Sequence, residues 1–214
     1  MSGLIKLYDI SILIDQKMVV YPGNPMPEIL QYSSIPINKT NESIISVGSH
    51  TGTHVDTKRH IRNESEGSES LPLDSFYGDC KVLDLTNFEK EIHKEDLENF
   101  AIKRGDIILL KTKNSILGYG EFRKDFVYLN LEAATYIVKL GVKTLGFDYL
   151  SVKKFGSDDK VHKVLIDNLT LFEGLDLSQV SEGKYVFAGL PIKVDCDGAP
   201  ARVILIKNPQ NGFC

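Results

Sequence analysis

Apolar and polar positions along the chain fall into short blocks, most of them of strand rather than helix length. Leu4–Ile14 is apolar and β-branched, and the turn-forming run Tyr21-Pro-Gly-Asn-Pro-Met-Pro27 closes it. Further strands are predicted at Ser43–Val47, Lys81–Leu85, Asp106–Lys111, Lys143–Tyr149, Thr170–Phe172, Tyr185–Ile192 and Val203–Lys207. Helical spacing is rarer. His93–Ile102 places Leu97, Phe100 and Ala101 on one face, and Leu131–Leu140 carries a stripe of Ala133, Ala134, Ile137 and Leu140 that Gly141 ends. Lys160–Ile166 predicts one more short helix. The polar, low-complexity stretch Asn63–Ser70 predicts a mobile loop outside any core. Together these blocks predict one α/β domain over residues 1–214, with a mixed sheet and few helices; the alternation alone leaves the parallel or antiparallel order open.

Composition narrows the function classes. The chain has 214 residues, and 25 Lys and Arg stand against 29 Asp and Glu, a net charge of −4 that argues against a nucleic-acid partner. A chain of this length buries about 70% of its unfolded surface, so it needs no disulfide staples. Cys80, Cys196 and Cys214 are odd in number and widely spaced, with no Cys-x-x-Cys pair, which excludes a thiolate zinc site and a disulfide framework. No run of about 18 apolar residues and no signal-peptide pattern is present, so the expectation is a cytoplasmic protein without a membrane partner. A His-Glu-x-x-His zinc motif, a Gly-x-Ser-x-Gly elbow and a glycine-rich phosphate loop are all missing.

Candidate chemistry lies in the histidines. Three of the five fall in the eleven residues 50–60, within Ser49-His-Thr-Gly-Thr-His-Val-Asp-Thr-Lys-Arg-His60, where even scatter would place about a quarter of one. His50, His54, Asp56 and His60 are separated by even steps, and Gly52 with its flanking threonines favours a strand or extended turn over a helix. On a strand, that spacing points His50, His54 and Asp56 to one face. Two imidazoles and a carboxylate suit Zn²⁺, Mn²⁺ or Fe²⁺, and three protein ligands leave a position for water. His162 and Glu173, eleven residues apart, provide a second imidazole–carboxylate pair, and a second metal bridged by Asp56 would account for a carboxylate at the end of an apolar strand. Plainer readings exist for each residue alone. His60 follows Lys58 and Arg59 in a basic turn, His162 suits a helix surface, Glu173 precedes Gly174 as a turn residue would, and His93 reads as an exposed helix start.

The stretch His50-Thr-Gly-Thr-His-Val-Asp-Thr-Lys-Arg-His60 resembles the signature His-x-Gly-Thr-His-x-Asp-x-Pro-x-His of the cyclase family of metal-dependent hydrolases, which includes bacterial kynurenine formamidase and isatin hydrolase. Tyr8-Asp-Ile-Ser11, Tyr21–Pro25, Gly105–Thr112, Leu129–Ala134, Gly146–Ser151, His162 with Glu173-Gly-Leu175, and Gly198–Arg202 match in the same order, so the resemblance spans nearly the whole chain. It implies a swivelling β/β/α fold assembled as a homodimer or homotetramer. It also implies metal ligands His50, His54, Asp56, His162 and Glu173, with two zinc ions per chain or manganese in their place, and His60 as the proton-handling catalytic residue. The implied reaction is hydrolysis of a small amide, above all N-formylkynurenine to kynurenine and formate, by a hydroxide shared between metals. Another cyclic amide or lactone is the second substrate class, and a non-catalytic metal-binding protein is the third reading. Lys58 replaces the signature proline, freeing the loop before His60 and adding a cation near the site that could pair with a substrate carboxylate. Aromatic lining for a substrate ring is sought among Tyr21, Phe76, Tyr77 and Tyr119.

Overall fold

A computed structural model describes residues 5–207; Leu4, the start of the first predicted strand, and Cys214 lie outside the described residues. The chain runs through β1 (Lys6–Asp9), β2 (Glu28–Ser33), β3 (Glu42–Ser46), β4 (His54–Asp56), α1 (Lys58–Ile61), β5 (Tyr77–Leu85), β6 (Glu91–Ile92), α2 (Lys94–Leu97), β7 (Ile107–Thr112), α3 (Lys113–Leu117), β8 (Tyr128–Leu129), α4 (Leu131–Leu140), β9 (Thr144–Phe147), α5 (Lys160–Ile166), β10 (Thr170–Glu173), β11 (Gly183–Pro191) and β12 (Gly198–Lys207). Eight strands form one mixed sheet in the order β1-β12-β11-β5-β7-β9-β10-β4. Its middle, β5-β7-β9-β10, is parallel, and its remaining pairings are antiparallel. Because β4 also pairs with Gly198–Pro200 at the start of β12, the sheet closes on itself.

Alternation along the central strands explains why the sheet packs on both faces. Ile108 and Leu110 of β7, Leu83 and Leu85 of β5, and Leu145 and Phe147 of β9 join the core that Ala133, Ala134 and Ile137 of α4 and Leu165 of α5 complete. The intervening residues Ile107, Leu109, Cys80 and Val82 point into the second core, with Val55, Phe172, Phe187, Val203 and Leu205. Gly146 has to lack a side chain there, since a Cβ would collide with Leu109 and Leu175. Helix α4 forms where its stripe predicts: Asn130 caps its start by accepting from the Ala133 N–H at 2.8 Å, and Gly141, at φ 75°, ends it in the left-handed region.

Several expectations require correction. The helix predicted over His93–Ile102 is a single turn, Lys94–Leu97, because Asn99, Phe100 and Ile102 are poor helix formers and burial of Leu97 alone sets the segment. The stretch Asn63–Ser70 is tied down rather than free. Gly67 and Ser68 are buried, the Ser68 N–H donates to the Cys196 carbonyl at 2.9 Å, and the Arg59 side chain donates to the Ser65 carbonyl at 3.0 Å. Strand β2 and helix α3 have no counterpart among the predicted elements. The β2–β3 hairpin stands apart from the large sheet, with Ile29, Leu30, Tyr32, Ile44 and Ile45 all exposed. Among the described residues no helix is long and apolar enough to cross a membrane.

Candidate metal centre

Four elements bring the candidate side chains together. His54 and Asp56 share one face of the buried strand β4, two residues apart as strand geometry requires. His50 reaches the same point from the turn before the strand, not from the strand itself, and His60 sits on the one-turn helix α1, so the even spacing acts through three backbone conformations rather than one. His162 comes from α5 and Glu173 from the end of β10, whose register sets Glu173 directly opposite His54. Glycines permit this closeness. Gly174, at φ 69°, lets β10 run against the backbone of Gly52 and Thr53, and a Cβ at Gly198 would stand 2.7 Å from the His50 ring. Thr53 locks the turn: its hydroxyl accepts from the Ile12 N–H at 2.8 Å and donates to the Gly174 carbonyl, while its own carbonyl accepts from the Ala201 N–H at 2.8 Å.

Asp56 is the hub. Its Oδ1 lies 2.8 Å from His50 Nδ1 and 3.3 Å from His54 Nε2, and Glu173 Oε2 stands 3.8 Å from the same His54 nitrogen. The other Glu173 oxygen accepts from the Val152 N–H at 2.7 Å and lies 3.0 Å from His162 Nε2. His54 Nδ1 faces the Gly52 carbonyl at 2.9 Å, an acceptor only, so that nitrogen carries a proton and Nε2 is the nitrogen turned toward Asp56 and Glu173. The His60 ring is 4.0 Å from that of His50 and 6.0 Å from that of His162, centre to centre. All six predicted site residues thus meet in one place.

The electrostatics are those of a cation site with protons in its stead. Burial disfavours a charged His50, but the carboxylates of Asp56 and Asp197 outweigh it and hold the imidazole up at about 9. Burial likewise works against the Asp56 carboxylate, and the adjoining His50 and His54 rings overcome it, keeping Asp56 well below the usual carboxylate range. His162 is raised against its burial by Glu173. Asp56 Oδ2 is nevertheless buried without any hydrogen-bond partner. A buried, unpartnered oxygen on a carboxylate whose other oxygen contacts two imidazoles is what a divalent cation would satisfy, and the residues therefore fit a metal. Two ligand groups share Asp56, His50–Asp56–His60 and His54–Asp56–Glu173, with the donor atoms of each group within 4.8 Å of one another.

The structure adds residues that spacing did not reveal. Asp197 accepts from the Ser49 hydroxyl at 2.9 Å, lies 2.8 Å from His50 Nε2 and stands 3.5 Å from His60 Nδ1; its depressed pKa comes from the Cys196 thiol, His50 and Ser49 together prevailing over burial. A cavity of about 200 Å³ opens over the centre, lined by Tyr21, Asn24, Leu150, Ser151, Lys153 and Asp159 beside the four histidines and Glu173. The buried Ser151 hydroxyl has no partner there. Of the aromatic candidates only Tyr21 lines the cavity. Phe76 is packed against Phe172 in the core, Tyr77 is exposed, and Tyr119 is half-buried and stacked on Tyr149. Lys58 does not face the cavity either: α1 turns it outward, to an ion pair with Glu66 at 3.0 Å. His93 is exposed at the start of α2, as the sequence suggests.

Comparison with known proteins agrees with this geometry. The Cyclase family model matches residues 8–154. A kynurenine formamidase of Salinibacter ruber is 30% identical over 212 residues, covering 95% of this chain and 99% of its own. A solved structure described as a potential metal-dependent hydrolase with cyclase activity superposes with a TM-score of 0.86 at 34% identity, over 96% of this chain and 100% of its own. Isatin hydrolase A from Labrenzia aggregata shares the fold, with a TM-score of 0.80 at 16% identity over 95% of this chain and 94% of its own.

Proposed function

The chain belongs to the cyclase family, and from that premise we propose that this hydrolase is an arylformamidase, cleaving N-formylkynurenine to kynurenine and formate. The observation that carries the reading is the histidine–carboxylate cluster around Asp56, whose Oδ1 touches two imidazoles while its Oδ2 is buried without a hydrogen-bond partner, beside a cavity that Tyr21 lines. His50, His54, Asp56, His162 and Glu173 would hold the metal. Their mixed nitrogen and oxygen donors suit zinc, with manganese the alternative, and the placing of Asp56 between the His50 and His54 rings and of Glu173 between His54 and His162 supports two ions per chain. When bound, such a cation polarises a carbonyl and lowers the pKa of water from 15.7 toward about 7. The chain's own residues do the rest. Tyr21 presents a ring face to an aromatic substrate, and the unpartnered Ser151 hydroxyl donates a hydrogen bond to it. His60 takes the proton of the attacking water and returns it to the aniline nitrogen, which leaves poorly unless protonated. The free thiols Cys80 and Cys196 support a reducing, cytoplasmic setting.

Metal-loaded protein assayed with N-formylkynurenine beside isatin is expected to release formate from the first far faster than it opens the second. Chelation should abolish that activity and zinc restore it. No formamide turnover by fully metallated protein would overturn the reading, and a single metal in a closed shell would favour a non-catalytic binder.

The β2–β3 hairpin supports assembly of copies of this chain into a dimer or tetramer. An isolated two-stranded ribbon is marginal in water, and this one exposes Ile29, Leu30, Tyr32, Ile44 and Ile45. Sedimentation analysis is expected to show a dimer or larger for the parent protein and dissociation for the double variant Ile44→Asp, Ile45→Asp. A monomeric parent protein contradicts the assignment.

A further inference from the structure

At the rim of the cavity, Lys153 and Asp159 form an ion pair with each other. Lys153 is the one lysine or arginine among the cavity-lining residues, and Asp159 is the cavity-lining carboxylate that bonds no imidazole. Their placement follows from the metal centre itself. Lys153 comes directly after Val152, whose N–H is bonded to Glu173, and Asp159 directly precedes α5, the helix that carries His162. The Lys153 side chain is only 13% exposed and also donates to the Ser157 carbonyl at 3.1 Å, so its charge is held in place beside the cavity rather than swinging in solvent. Tyr21 lines the same cavity, backed by Phe122 and Phe155 with ring centres 5.4 and 5.8 Å away.

We propose that Lys153 and Asp159 are the specificity-determining pair that recognises a zwitterionic α-amino acid group on the substrate, Lys153 taking its carboxylate and Asp159 its ammonium. The inference rests on the arylformamidase reading and adds to it the residues that read the substrate's far end. A ligand carrying only a carboxylate would meet Asp159 unfavourably, and one carrying only an ammonium would meet Lys153. A group with both charges on one carbon complements both partners and keeps each of them paired. Tyr21 and the charged pair, lining one cavity, together suit a substrate with an aryl ring at the metal centre and an amino acid tail at the rim. Lys153 thereby supplies the substrate-facing cation that Lys58, turned outward, does not.

The test compares ligands with and without the tail. Calorimetric binding of L-kynurenine and of 2′-aminoacetophenone, which lacks the amino acid group, is measured on metal-loaded parent protein and on Lys153→Met, Asp159→Asn and Lys153→Arg. The kcat/KM ratio of N-formylkynurenine to 2′-formamidoacetophenone is measured alongside. The parent protein is expected to prefer the tailed ligand at least about tenfold, the neutral variants to lose that preference, and Lys153→Arg to keep most of it. A pair that merely braces the loop before α5 would weaken both ligands in parallel, so a preference ratio unchanged in the neutral variants, or absent from the parent protein, overturns the proposal. Preferential binding of kynurenine without turnover of any formamide would sustain the charged pair while refuting the formamidase.

Discussion

Asp56→Asn is expected to lower kcat/KM for formamide hydrolysis by at least about 10³-fold, with most of the bound metal lost. The reason is topological as well as chemical. Asp56 is the one residue common to both ligand groups, and its carboxylate lies within 3.3 Å of two imidazole nitrogens. Asparagine keeps the size and one acceptor oxygen but brings an N–H₂ to a place where only cations and protonated rings are accommodated. The variant should still fold. The partners of Asp56 across the strands, Leu171 and Gly198, are paired through the backbone, and the neighbouring Val55 remains in the core. Elemental analysis for zinc and manganese, steady-state kinetics and circular dichroism together check the result. A folded variant that retains both its metal and turnover within tenfold of the parent would remove Asp56 from the centre.

How much of this was legible in the sequence depended on range. The short apolar runs at β5, β7 and β9 and the stripe of α4 are local patterns, and they mark the elements that build both cores. His54 and Asp56 were legible for the same reason, being two positions apart on one strand. Strand β2 was not: Glu28-Ile-Leu-Gln-Tyr-Ser33 follows a proline-rich turn and mixes polar and apolar residues without a period, whereas its partner β3 carries the β-branched pair Ile44-Ile45. Asn63–Ser70 misled because its anchors, Cys196 and Val194, are more than 120 residues away in sequence. The same distance hid Asp197, which reaches His50 only after β12 has closed the sheet against β4. Lys153 and Asp159 look like ordinary surface charges until the Val152–Glu173 hydrogen bond and the start of α5 turn both toward one cavity. Lys58 erred in the opposite sense: near in sequence to three candidate ligands, it is sent outward by the single turn of α1.

His60→Ala is expected to reduce kcat by about 10² to 10⁴-fold while metal content stays near that of the parent, since that range is what a positioned proton carrier contributes. His60 differs from the other histidines of the cluster in its commitments. His50 and His162 each bond a carboxylate within 3.0 Å and His54 is fixed to the Gly52 carbonyl, whereas the nearest carboxylate to His60 is Asp197, 3.5 Å from Nδ1. It is also the most open of the four, with a third of its side chain exposed, and it lines the cavity. A ring with a carboxylate beside one nitrogen and open to the cavity is suited to shuttle a proton, and Asp197 would stabilise the imidazolium formed midway. The geometry also groups His60 with His50 and Asp56 as a ligand set, so activity alone does not separate the two roles. Two readouts do. Imidazole added to the His60→Ala variant is expected to restore part of its turnover by carrying the proton through solvent, and its metal stoichiometry is expected to match the parent. Loss of metal in step with activity, without rescue by imidazole, makes His60 a ligand and leaves the proton to another group. Undiminished kcat in the metal-replete variant removes it from the reaction altogether.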